Sequence, residues 1–212
     1  MTALRRLLFP LAVGATVALA LTACASGAGS GGQVPDDAPS FALPAPNPPS
    51  GDVVVQGTVM DVGGDAELCL GAIAESYPPQ CSGIPITNWS WEGVDGSENS
   101  GDVTWGAYAV QGTWDGAEFT VTEAPVMLAL YDPMMTEDPT GGDAGAGTEA
   151  EIAAIQEELP DRLGDSYLMS HPENGRLWVD VVWDDGAWQD AADAEFGDDV
   201  VIVRSAMRAL DG

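Results

Sequence analysis

Three cysteines, a single histidine and 34 carboxylates are the groups through which this 212-residue chain could do covalent or acid–base chemistry. Cys69 and Cys81 enclose Tyr77-Pro78-Pro79, and eleven residues separate them. In an oxidising compartment the pair is predicted to form a disulfide. Closing that loop stabilises a fold by about 3 kcal/mol in the chain-entropy account. A zinc site would need more ligands, and His171 is the only histidine and distant in sequence, so no metal is expected. Thioredoxin-type exchange needs closer cysteines at a helix start. Asp180 and Asp184 share a parity and could serve as acid and base in sugar hydrolysis, but such a pair needs a set separation and one protonated member. Asp61-Val62-Gly63-Gly64-Asp65 and the stretch Asp132 to Asp143 hold oxygen ligands for weak calcium binding, yet neither has the regular calcium-loop pattern ending in Glu. His171 is predicted in an exposed turn with Pro172, Asn174 and Gly175, with no nucleophile placed beside it by any motif. Lysine is absent, which removes a Walker-type nucleotide site. No catalytic residue and no cofactor emerge.

Recognition chemistry has better candidates. A loop fixed by a disulfide and stiffened by two prolines loses little entropy on binding, so Glu75, Tyr77 and Gln80 are the predicted partner-binding residues. Seven tryptophans could supply flat faces for a sugar or a proline-rich peptide. Trp89, Trp91, Trp105 and Trp114 are expected mainly to fill a small β module. Trp178, grouped by parity with Asp180 and Asp184, is the candidate for a surface in the second module.

The amino terminus carries an address. Arg5 and Arg6 precede the apolar run Leu7 to Leu21, and the small residues Thr22 and Ala23 lead into Cys24. The run is shorter than the roughly 20 residues of a permanent span, which favours a processed signal. Leu21-Thr22-Ala23-Cys24 resembles the lipobox of bacterial lipoproteins. The resemblance implies a signal peptide over residues 1–23 and diacylglyceryl and fatty acyl chains, such as palmitate, on Cys24. It implies anchorage at the outer face of the cytoplasmic membrane, where two or three chains hold firmly at about 0.8 kcal/mol per buried CH₂. After Cys24 only Arg162, Arg176, Arg204 and Arg208 remain against all 34 acids, so the mature charge is 4 − 34 = −30. That charge opposes nucleic acid and anionic lipid surfaces, which need clustered cations.

These residues must be positioned by two folded modules. Residues 24–50 hold Pro35, Pro39, Pro44, Pro46, Pro48 and Pro49 among Gly, Ala and Ser, with few large apolar groups, and are expected to be a disordered tether. Over 51–131, Val53, Val55 and Val59 share one parity, the sign of a half-buried strand. Glu67 to Ile73 reads as a second strand carrying Cys69 into the core. Trp105 to Val110 alternates, and Asp115-Gly116 predicts a hairpin before Phe119. Five or six strands with little helix predict a small β-barrel, OB-like by preference and a compact sandwich otherwise.

Residues 132–147 read as a Pro/Gly/Ala linker. Over 148–212 the predicted order is α-β-β-α-β with a further short β, an α+β domain of helices on a sheet. Thr148 and Glu151 form a capping box, Ile152, Ile155 and Leu159 make one stripe, and Pro160 is expected to limit the helix. Leu177, Val179, Val181 and Trp183 should face helices. Asp185 is the predicted cap of a helix in which Trp188, Ala192 and Phe196 recur, and Gly197 ends it.

The run Glu67 to Gly83, with its two cysteines and Tyr77-Pro78-Pro79-Gln80, is followed by Asn88-Trp89-Ser90-Trp91 and by Trp105-Gly106-x-Tyr108-x-Val110-x-Gly112-Thr113. Together these resemble an uncharacterised exported lipoprotein family of high-GC Gram-positive (actinobacterial) bacteria. The resemblance covers most of the first module and transfers no catalytic residue, because the family carries no established activity. The function expected from the whole sequence is non-enzymatic: an envelope lipoprotein that binds a protein or a cell-wall glycan. A sugar- or peptidoglycan-processing hydrolase and a passive spacer are the alternatives.

Overall fold

Val53, Val55 and Val59 fall on one side of strand β1 (Val53–Val62), and all three are completely buried. In the computed structural model, which describes residues 40–41, 45–135 and 138–210, this strand is the spine of the amino-terminal lobe. The signal segment and Cys24 lie outside those residues. β1 pairs antiparallel with β2 (Asp65–Cys69) on one edge and along its whole length with β5 (Val103–Trp114) on the other. β2 continues to β3 (Ile84–Thr87), β3 runs parallel to β6 (Phe119–Val121), and β6 returns antiparallel to β5. The circuit β1-β2-β3-β6-β5-β1 is a closed five-stranded barrel with a single parallel pair, the OB-like order. Because β1 bonds both β2 and β5, this lobe is one closed sheet and not a sandwich of two. Short strands β4 (Glu98–Ser100) and β7 (Val126–Met127) extend the free edge of β5.

Leu68, Tyr108, Val110 and Phe119 fill the barrel with the β1 valines. Gly106 is required there, since a Cβ at this position would lie 2.6 Å from the Tyr108 ring. Trp89 and Trp91 close one end as an edge-to-face pair against Tyr108, and the Trp91 indole donates to Asp61 at 3.0 Å. They occupy a turn-rich segment, not a strand. The Asp115-Gly116 hairpin is a four-residue loop, because the Asp115 carboxylate accepts the N–H groups of both Ala117 and Glu118 at 2.8 Å.

In the second lobe, α1 (Glu149–Leu163) begins with both bonds of the Thr148–Glu151 box. The helix runs through Pro160, contrary to the sequence expectation. Leu159 and Leu163, one turn apart, are both buried, and the stop is supplied instead at Gly164. β8 (Tyr167–Glu173) and β9 (Arg176–Val181) form a hairpin across Asn174-Gly175, both in the left-handed region. His171 and Pro172 therefore lie in a strand and not in the turn. Pro172 is tolerated because β8 is an edge strand. After α2 (Ala187–Phe196), β10 (Val201–Ser205) lies parallel to β9. Ile152, Ile155 and Leu159 of α1 and Trp188 and Ala192 of α2 meet Leu177, Val179 and Val181 of the sheet. Trp183 instead packs toward the barrel core and donates its indole N–H to Asn47 O at 2.8 Å.

Both open edges of this three-stranded sheet are covered by glutamines. Gln156 of α1 donates to Ser170 O at 3.0 Å on β8. Gln189 of α2 donates to Val201 O at 3.0 Å and accepts from Val203 N at 2.8 Å on β10, imitating a neighbouring strand with its side-chain amide. Asp185 caps the first residue of α2 as expected, and Asp184 joins it: its two oxygens accept the Trp188 and Gln189 N–H groups. Asp185 bonds Ala187 N and is also tied to Asn47.

The described residues fall within one compact unit. The short last strand β11 (Arg208–Ala209) pairs with β1 of the barrel, beyond the end of β2. Met207 and Val182 are buried in the barrel cluster. At the other end of the sequence, Phe41, expected within the tether, is only 1% exposed and lies in the second lobe's core against Phe196. Its N–H donates to Glu195 at 2.7 Å. The segment read as a linker is laid on the β8–β9 hairpin through Gly145 N to Asn174 O and Gly147 N to Gly175 O. Gly145 allows this approach, because a Cβ there would collide with Arg176 and Gly175.

Candidate functional site

Two places gather the residues singled out by the sequence. The first is on the outer wall of the barrel. Cys69 pairs across from Thr58, so it points away from the barrel interior, and the expectation that it enters the main core is corrected. It is nevertheless buried, in a separate cluster with Met60 and Trp105. Cys69 and Cys81 are joined by a disulfide with Cα atoms 6.2 Å apart. Between them the chain folds back on itself, with Ala74 N donating to Gln80 O at 2.8 Å and the Ser76 hydroxyl to Pro78 O at 2.8 Å. The Tyr77–Pro78 peptide is cis.

This packing leaves Tyr77 at the crest, 71% exposed, with its ring edge-on to Trp105 at 5.4 Å. Glu75 and Gln80 are also exposed on the loop. Val62, half exposed, continues the apolar border through its partner Val103, which packs on the same cluster. Trp105, expected from sequence to fill the core or rim of the β module, supports Tyr77 because its pairing with Met60 turns it outward.

The second place is the sheet face opposite the helices. Trp178 is there but is only 7% exposed, so it offers no open aromatic face. The Arg204 guanidinium lies 5.0 Å from its ring centroid, and His171 stacks nearly parallel at 6.5 Å. Asp180 is bound by Arg204 through bonds of 2.7 and 2.9 Å. Asp184 is held by the start of α2, where burial pushes its carboxyl above the ordinary range despite the helix N–H groups. The two carboxylates read as a conceivable acid–base pair are thus committed to an ion pair and a helix cap.

Between the lobes lies a cleft of about 600 Å³ lined by Leu70, Ser82, Ile84, Trp114, Tyr167 and others. Asp165 is its one carboxylate among the described residues, whereas glycoside hydrolysis needs two. No group of three or more His, Cys, Asp or Glu is placed to hold a metal among the described residues. In the Asp61–Asp65 loop, Asp61 accepts from Gly64 N and the Trp91 indole. Compared with known protein families, with curated proteins and with solved structures, the chain finds no match in any of the three.

Proposed function

We propose that this chain is a lipoprotein, anchored by lipid on Cys24 at the outer face of the cytoplasmic membrane, that recognises an envelope protein or cell-wall component through its disulfide loop. The anchoring rests on the order of charge, apolar run, small residues and cysteine at the amino terminus. The recognition rests above all on Tyr77, an aromatic side chain held in the open on a loop tied at both ends and buttressed by Trp105. Tyrosine gives large contact area with few rotors, and a fixed loop has already lost much of the entropy that binding would cost.

The test uses the full chain in its native envelope. Crosslinking and affinity capture of the wild-type protein should recover a partner that is lost in Tyr77→Ala. Metabolic labelling with a palmitate analogue should mark the wild type and not Cys24→Ser. Unchanged capture by the Tyr77 variant would remove the proposed surface, and an unlabelled wild type would remove the anchor.

A further inference from the structure

Arg176 is the most deeply buried charged side chain among the described residues, at 3% exposure. Two of its nitrogens are engaged, one with Asp143 O and the other with Asp199 at 3.0 Å. Its Nε–H has no partner among the described residues. The indole N–H of Trp178, also buried, has none either among the described residues. Both side chains line one cavity of about 200 Å³ between the Asp138–Asp143 segment and the β8–β9 hairpin. Two buried donors without acceptors, on side chains that border one small cavity, are unfavourable unless something polar supplies oxygens to them.

The remaining lining narrows what that is. Asp138, Asp143 and Glu173 surround the donors with negative charge, which opposes a carboxylate or phosphate. The Arg176 guanidinium opposes a metal cation. Asp138 is already occupied by Thr140, whose N–H and O–H both donate to it, at 2.8 and 2.6 Å. Asp143 and Glu173 contribute acceptors, and the guanidinium and indole contribute donors. A neutral ligand whose groups both accept and donate satisfies the two sets together, and hydroxyl groups do so. The volume is below the roughly 300 Å³ at which pockets for drug-sized molecules begin, so it suits one ring. Trp178 takes part through its edge, since Arg204 and His171 from the flanking strands crowd its ring.

We propose that this cavity is a binding site for a neutral polyhydroxylated ligand, a single sugar ring. It is independent of the Tyr77 surface, which belongs to the other lobe.

The chain has seven tryptophans, whose indole N–H signals can be followed in a proton–nitrogen correlation spectrum of the ¹⁵N-labelled protein. The Trp178 signal is identified by its disappearance in Trp178→Phe or, if that variant does not fold, by through-bond assignment of the wild type. Glucose, galactose, mannose and N-acetylglucosamine are titrated separately, beside sodium acetate and calcium chloride. At least one sugar should shift the Trp178 signal saturably, with a Kd of about 1–10 mM. Glu173→Gln, altered at an exposed side chain, should weaken that response by about tenfold while its melting curve stays that of the wild type. Tyr77→Ala should leave the titration unchanged. The proposal is overturned if no sugar gives a saturable shift, if acetate or calcium gives the same shift, or if Glu173→Gln binds as tightly as the wild type.

Discussion

Replacing Gln189 with Met would remove the amide that closes the outer edge of the second lobe's sheet while keeping a side chain of similar length on α2. Two backbone groups lose their partners: the N–H of Val203, bonded at 2.8 Å, and the C=O of Val201, bonded at 3.0 Å. Val201 is fully buried and Val203 partly so, which limits access by water. An orphaned buried backbone group costs about 1–3 kcal/mol, and the part-buried member falls at the low end, giving about 2–4 kcal/mol for the pair. The urea midpoint should then fall by about 1–2 M for a slope near 2 kcal/mol per M. The melting temperature should fall by about 5–12 °C at this size. Hydrogen exchange at the Val203 amide should accelerate more than at Val179 in the middle of the sheet. Because a bare edge is a template for pairing, the variant should also associate as concentration rises. A loss under about 0.5 kcal/mol, with Val203 exchange unchanged, would refute the claim that this side chain stands in for a strand.

Reducing the Cys69–Cys81 bond, or replacing both cysteines by Ala, should lower stability by about 3 kcal/mol for cysteines 12 positions apart. Unfolding with and without reductant measures it, and equal midpoints would contradict the staple. Asp184 yields a pH prediction. Burial raises its folded-state pKa above the ordinary 3.8, so the folded protein binds that proton more tightly than the unfolded chain does. Its contribution is therefore most favourable below the ordinary value and declines as pH rises from there through the raised folded value. Asp184→Asn lacks this decline, so its melting temperature relative to wild type should climb as pH rises from the ordinary 3.8; parallel curves would show the carboxyl to be unperturbed.

Local patterns read well from sequence because the interactions they encode are local. The parity of Val53, Val55 and Val59 needed only the strand period, and the Thr148–Glu151 box only three residues of spacing. The barrel's closure and its helix-on-sheet companion followed from strand number and apolar stripes. Other features depend on partners distant in the chain. β11 is two residues long, with no periodicity of its own, and exists because Arg208 and Ala209 meet Val54 and Val53. Phe41 looked like an isolated apolar residue among prolines, and only the packed α2 shows where it goes. Asp184 and Asp185 are equivalent as cap signals by composition. In the fold both serve, Asp185 at Ala187 N and Asp184 at Trp188 N and Gln189 N. For the candidate sites, Tyr77 was visible from its disulfide frame, whereas Arg176 gave one clue, a rare cation beside an Asn-Gly turn in a chain without lysine.

The burial of Phe41 changes how a proposed anchor at Cys24 would handle the body it carries. The chain between Cys24 and the first described residue is residues 25–39, which at full extension would reach about 50 Å; freedom through residue 50 would allow roughly 80 Å or more. A pull from the membrane would load the second lobe before the barrel. It would act on the Phe41 amide held by Glu195, and next on the Asn47 contacts with Asp185 and Trp183. The barrel would be shielded from that force, so the leash would strain the α-helical lobe's core first.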